Sequence, residues 1–98
     1  MKKGVLELCI LSIVSHQDAY TTEILEKLKE ARLIVVEGTL YPLLTRLKNE
    51  GMLSYRWEES TQGPPRKYYR ITELGARMLQ EQKTSWEELV DAVKRLIN

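Results

Sequence analysis

Eight of the ten residues from Val5 to Val14 are apolar, and only Glu7 and Ser12 interrupt them. Wound at 3.6 residues per turn, this run makes a helix that is greasy on nearly every side, and such a helix has to be covered all round. A chain of 98 residues supports one core, which buries roughly 60 to 70% of the surface exposed by the unfolded chain. Either the helix is central in that core, or its excess face is covered by a second copy, most economically a twofold partner. Lys2-Lys3 ahead of the run gives it the look of a secretory leader. Ten residues are too few to span a bilayer, however, and no small-x-small cleavage site precedes His16-Gln17-Asp18, so neither secretion nor a membrane partner is expected.

The second constraint is the stretch from Gly38 to Gly51. Leu40, Leu43, Leu44 and Leu47 follow i, i+3, i+4, i+7 spacing and form one core-facing stripe. The other side carries Tyr41, Pro42, Thr45, Arg46, Lys48 and Asn49, a mixture of planar, hydroxyl, amide and cationic groups that suits base edges and phosphates. If Thr39 caps this helix, Pro42 costs no intrahelical bond; a start nearer Glu37 makes Pro42 displace one. Gly51 is placed to end the helix with a positive φ. Net charge is only +1, but residues 38–71 hold six basic and three acidic side chains, a local +3 that leaves −2 for the remainder. One basic face on a nearly neutral molecule attracts phosphate.

Elsewhere, Ser15 to Tyr20 reads as a polar loop, and Thr21 or Thr22 as the cap of a helix whose inner stripe is Ile24, Leu25, Leu28 and Ala31. Leu33-Ile34-Val35-Val36 is a buried strand or an extended connector. Leu53, Tyr55 and Trp57, then Tyr69 and Ile71, alternate with polar neighbours as two strands of a hairpin. The breaker-rich segment from Glu58 to Pro65 predicts a long projecting tip, with Arg66 and Lys67 at its exit. Thr72 caps a last helix running to about Ile97. Its Leu79, Trp86 and Val93 recur every seven residues, interleaved with Gln82, Leu89 and Leu96. This seam, together with Leu6 and Ile10 of the first helix, is assigned to dimerisation; a last helix folded back on its own domain is the alternative.

These pieces predict an α+β class, mainly α with a small β-hairpin. The architecture is a winged helix-turn-helix over residues 1–71 with a C-terminal dimerisation helix over 72–98, the two forming one structural unit. Gly38-Thr39-Leu40-Tyr41-Pro42, Arg46-Leu47, Glu50-Gly51, Trp57, the run from Gly63 to Thr72, and Gly75 together resemble the PadR family of bacterial transcriptional regulators. One departure lies before the second helix, where the family often has Tyr-Gly-Tyr-Glu-Ile and this chain has Ala19-Tyr20-Thr21-Thr22-Glu23-Ile24.

The resemblance implies a dimeric, cytoplasmic repressor of the small-tailed subgroup, bound to double-stranded DNA at an inverted repeat. On this reading Thr39 and Tyr41 donate to phosphate. Pro42 and Thr45 meet thymine methyl groups, Arg46, Lys48 and Asn49 hydrogen-bond, and Arg66 and Lys67 take phosphates or the minor groove. For Arg46 the alternative is a surface pair with Glu50. A twofold seam also brings two copies of Trp86 together, and two indoles can sandwich a planar aromatic effector beside Leu89 and Leu8. Some small-tailed members bind aromatic drugs in this way; the alternative is an indole that only packs the interface.

Cys9 is read as a small buried hydrophobe. It lies two turns from His16, ~10 Å along a helix and too far for a nucleophile and its base. No enzyme, metal site or cofactor is expected, and the rival class is a winged-helix protein adaptor without DNA binding.

Overall fold

The computed structural model describes residues 3–98; Lys2, half of the basic pair in the leader-like start, lies outside them. The elements are α1 (Lys3–His16), β1 (Ala19–Tyr20), α2 (Thr21–Glu30), α3 (Glu37–Asn49), β2 (Leu53–Ser60), β3 (Gly63–Ile71) and α4 (Glu73–Ile97). Four helices and an antiparallel sheet of order β1-β3-β2 make the α+β winged helix. Among the described residues no helix is long and apolar enough to cross a membrane.

The all-round apolar helix α1 is the centre of the core. Leu6, Ile10, Leu11 and Val14 are buried, and α2, β3 and α4 all pack against it. Three residues expected to couple two copies are therefore corrected. Leu6, Ile10 and Leu79 are 6%, 0% and 7% exposed, because the start of α4 folds back over α1 and the chain covers them itself. Leu8, Cys9 and Ile13 are only partly covered. Cys9 is thus less buried than expected, although the burial it has pushes its thiol above the ordinary pKa.

The segment expected as a loop ends in a strand, since Ala19 and Tyr20 pair with Tyr69 and Tyr68 of β3. Two residues carry no alternation, so the partner strand defines this one. The N-cap of α2 is Tyr20 rather than a threonine, and its amide donates to the Glu23 carboxylate at 3.1 Å. Ile24 and Leu28 form the buried stripe, whereas Ala31 is an exposed C-cap. Leu33 to Val36 is the extended connector and not a buried strand. Leu33 and Val35 pack inward, while Ile34 and Val36 stand 86% and 66% exposed.

Two helices stop in the same way. In α3 the amides of Gly51 and Met52 donate to the carbonyls of Lys48 and Leu47; in α2 those of Arg32 and Leu33 donate to Lys29 and Leu28. Each stop needs a left-handed residue. Gly51 supplies it at φ 80°, and Arg32 supplies it at φ 66° despite its Cβ. Of the two starts left open for α3 the earlier holds: Val36 is the N-cap and Pro42 lies inside the helix, so the Gly38 carbonyl loses its partner.

The hairpin tip is shorter than expected. Pairing runs from Leu53 opposite Ile71 out to Ser60 opposite Gly63, and only Thr61-Gln62 turn. The register shifts so that Pro64 and Pro65 both face Glu59, a bulge that tolerates residues without an N–H. At the hairpin base Thr72 begins α4. Its hydroxyl accepts from the Gly75 amide at 3.0 Å and donates to the Gly51 carbonyl, and its amide donates to Met52 at 3.1 Å. A Cβ on Gly75 would lie 2.1 Å from the Met52 carbonyl oxygen, so only glycine allows α4 to dock this closely. Beyond Leu79 no residue of α4 is fully buried, and the helix's 25 residues, ~37 Å at 1.5 Å each, set the 54 Å long axis.

Candidate nucleic-acid interface

At 3.6 residues per turn the outer surface of α3 divides into two stripes. Tyr41, Thr45 and Lys48 face the hairpin; Thr39, Pro42, Arg46 and Asn49 lie on the other side. The split matters because β2 follows α3 directly and lays the hairpin beside the first stripe. Tyr41 and Thr45 meet Trp57, Pro65, Arg66, Lys67 and Tyr69 across an open cleft of about 370 Å³, whose third wall is Tyr20, Thr21 and Thr22 at the start of α2.

The strand register decides what the hairpin shows to this cleft. Tyr55 pairs with Tyr69 and Trp57 with Lys67, so these four share one face, while Arg56, Tyr68 and Arg66 share the other. Arg66 and Lys67 are adjacent in sequence but leave opposite faces, and each reaches the cleft by a different route. Lys67 Nζ sits 4.3 Å from the Tyr55 ring centre and 5.2 Å from that of Trp57; the Arg66 guanidinium lies 4.6 Å from the Tyr20 ring. Lys48 Nζ approaches Tyr55 from α3 at 5.6 Å. Trp57 is 63% exposed, whereas Tyr69, edge-on to Tyr55, is buried, and that burial pushes its phenol above the ordinary value.

Charge pairing separates the cations into two groups. Arg56 is tied to Glu58 and Asp18. Arg46 donates to Glu7 at 2.9 Å and to Glu50 at 2.9 and 3.0 Å, and these bonds, Glu7's first, raise its pKa further. Arg46 is thus bent toward α1, and the pair with Glu50 is present. Lys48, Arg66 and Lys67 have no ion-pair partner among the described residues. An aromatic face holds a cation without cancelling its charge, so their field remains available at the cleft.

Of the residues expected on this face, Tyr41, Thr45, Arg66 and Lys67 come together in the cleft, with Lys48 at its α3 edge. Thr39, Pro42 and Asn49 are exposed on the far stripe. Sequence reasoning missed Tyr20, Thr21, Thr22 and Trp57 as part of the site. The threonines carried a signal as helix caps and as a departure from the family pattern, and Trp57 as a strand residue and a piece of the family motif, but none of them as a contact.

A second cluster lies at the opposite end of α1. Leu8, Trp86 and Leu89, expected to meet at the dimer seam, line one groove between α1 and α4 with Val5, Met78 and Gln82, about 460 Å³ in volume. From it an apolar stripe continues along α4 as Val93 and Leu96, 43% and 85% exposed. No group of three metal-ligating side chains comes together among the described residues.

Residues 10–81 match the model of the transcriptional regulator PadR-like family. A PadR-like transcription factor from Bacteroides fragilis is 60% identical, with 96% of this chain and 91% of that one covered and a TM-score of 0.85. A PadR-like transcriptional regulator from Bacillus cereus is 41% identical, covering 98% and 94% at a TM-score of 0.87. The Bacillus subtilis PadR, solved in complex with operator DNA, shares the fold at 24% identity over 79% of this chain and 45% of that one, with a TM-score of 0.73.

Proposed function

Since the chain belongs to the PadR-like family of transcriptional regulators, we propose that it is a homodimeric, cytoplasmic repressor that binds an inverted-repeat operator and leaves it when a planar aromatic effector enters the α1–α4 groove. The observation that carries the DNA reading is the charge arrangement of the cleft: three cations without carboxylate partners flank the hydroxyl groups of Tyr41 and Thr45. The operator complex of the Bacillus subtilis relative supports the same class of partner.

In this reading α3 enters the major groove. Thr45, Pro42 and Asn49 reach base edges, while Thr39, Tyr41 and Lys48 hold the backbone. Arg66 and Lys67 take phosphates or the minor groove beside the hairpin, with Thr21 and Thr22 at the start of α2 offering two more donors. Two copies coupled through Trp86, Leu89, Val93 and Leu96 space their α3 helices by about one turn of DNA, ~34 to 36 Å, or a multiple. The stripe on α4 supports this, because it has the a/d spacing of a helix pair and its own chain leaves it open.

The test is a titration against the chain's own promoter region at two salt concentrations. About three phosphates per protomer predict a slope of log K against log salt near ~−5 for the dimer. Lys67→Ala and Thr45→Ala proteins that remain folded dimers should bind less tightly; unchanged binding in both would move the contact face elsewhere.

A further inference from the structure

One carboxylate ties three helices together. Glu7 of α1, its side chain 12% exposed, accepts from Arg46 Nη2 of α3 at 2.9 Å and, through its other oxygen, from Gln82 Nε2 of α4 at 3.2 Å. Gln82 also lines the α1–α4 groove. Its Oε1 is buried and has no hydrogen-bond partner among the described residues.

Resting on the reading of that groove as the effector site and of α3 as the DNA-reading helix, we propose that Gln82, Glu7 and Arg46 form a polar relay carrying the state of the groove to α3. Arg46 then serves as a positioning residue for α3 and not as a DNA contact. Two arrangements follow from the chemistry. In the one observed, the Gln82 amide is held on Glu7 and its oxygen is stranded, an unfavourable state for a buried acceptor. In the other, the amide turns toward the groove, where an occupant with an N–H or O–H satisfies the oxygen. Glu7 then loses the bond that orients it and holds the Arg46 fork less firmly, so α3, which carries Arg46, loosens.

The close approach of Gly75 to Met52 fixes one end of α4, while Gln82 lies about two turns beyond that joint and moves with whatever fills the groove. The effector class is accordingly narrower than a flat aromatic: it also bears a hydrogen-bond donor. Arg46 supplies no spare field for phosphate, because Glu7 and Glu50 occupy it from both sides.

The experiment measures amide hydrogen exchange across α3 in the full chain, as wild type, Glu7→Gln, Gln82→Leu and the double variant. Each is run with and without 8-anilinonaphthalene-1-sulfonate, whose bridging N–H is a donor. Each single variant should speed exchange in α3 about tenfold, the double variant no more than the faster single one, as for links in one chain. The dye should accelerate α3 exchange in wild type and not in Gln82→Leu, although its emission reports binding to both. Arg46→Gln should weaken promoter binding with the salt slope intact.

Wild-type exchange in Gln82→Leu, additive effects, or a slope smaller by about 1 for each arginine lost would overturn the relay. Should Glu7→Gln fail to fold, Gln82→Leu alone decides. A folded wild type that binds no DNA yet shows the exchange pattern upholds the relay and overturns the function proposed above, so the two fail separately.

Discussion

The two exposed faces of this molecule are built by opposite rules. The α3–hairpin face is polar, and its cations rest on aromatic rings instead of carboxylates. The outer half of α4 carries charge on its flanks but presents Trp86, Leu89, Val93 and Leu96 as a bare apolar stripe. A charged face that keeps its charge unpaired is suited to a charged partner, and an apolar face left wet is suited to a partner that excludes water. The contrast teaches that exposure by itself says little; what each face leaves unsatisfied indicates what is meant to meet it.

That comparison can be broken at the joint between the faces. Gly75→Ala drives a methyl group into the Met52 carbonyl and should cost roughly 3 kcal/mol, read by urea unfolding; a variant as stable as wild type would show that α4 is not welded to the hairpin. Leu89→Asp tests the apolar face. It should weaken self-association about 100-fold in sedimentation equilibrium while far-ultraviolet dichroism stays unchanged.

Lys67→Ala tests the charged face, with an expected loss of about tenfold in promoter affinity and a salt slope shallower by about 2 per dimer. Arg32→Gly touches neither face and relieves the left-handed strain at the end of α2, so thermal unfolding should show a gain of about 0.5 to 1 kcal/mol. The smallest effect is expected from Arg56→Ala. That guanidinium is already paired with Glu58 and lies on the hairpin face opposite Lys67, so promoter affinity should change by less than about twofold. A larger drop would erase the distinction between paired and unpaired cations.

Much of the fold was legible because local chemistry dictates it. The leucine stripe of α3, the left-handed stop at Gly51, the alternation of Leu53, Tyr55 and Trp57 and the Thr72 cap each depend on neighbours a few residues away. Strand β1 was not legible, since two residues have no pattern until Tyr68 and Tyr69 lie beside them. The short hairpin tip was hidden too, because a bulge absorbs prolines that normally signal a loop. Of the site, Tyr41, Thr45, Arg66 and Lys67 could be found from the sequence, whereas Trp57 and Thr22 join it only because β2 and the start of α2 close on α3.

What the sequence alone determined is the inventory: which helices and which two hairpin strands form, which residues are basic, and that α1 must be covered on all sides. Those properties follow from side-chain period and composition, which need no partner in space. What only the tertiary structure decided is allocation. The fold gave most of α1 to the chain's own core, burying Leu6, Ile10 and Leu79 within one copy. It turned Arg46 toward Glu7, 39 residues away in sequence, and left Lys67 without an acid partner among the described residues. Pairing across such separations depends on which elements pack together, and no local pattern encodes it.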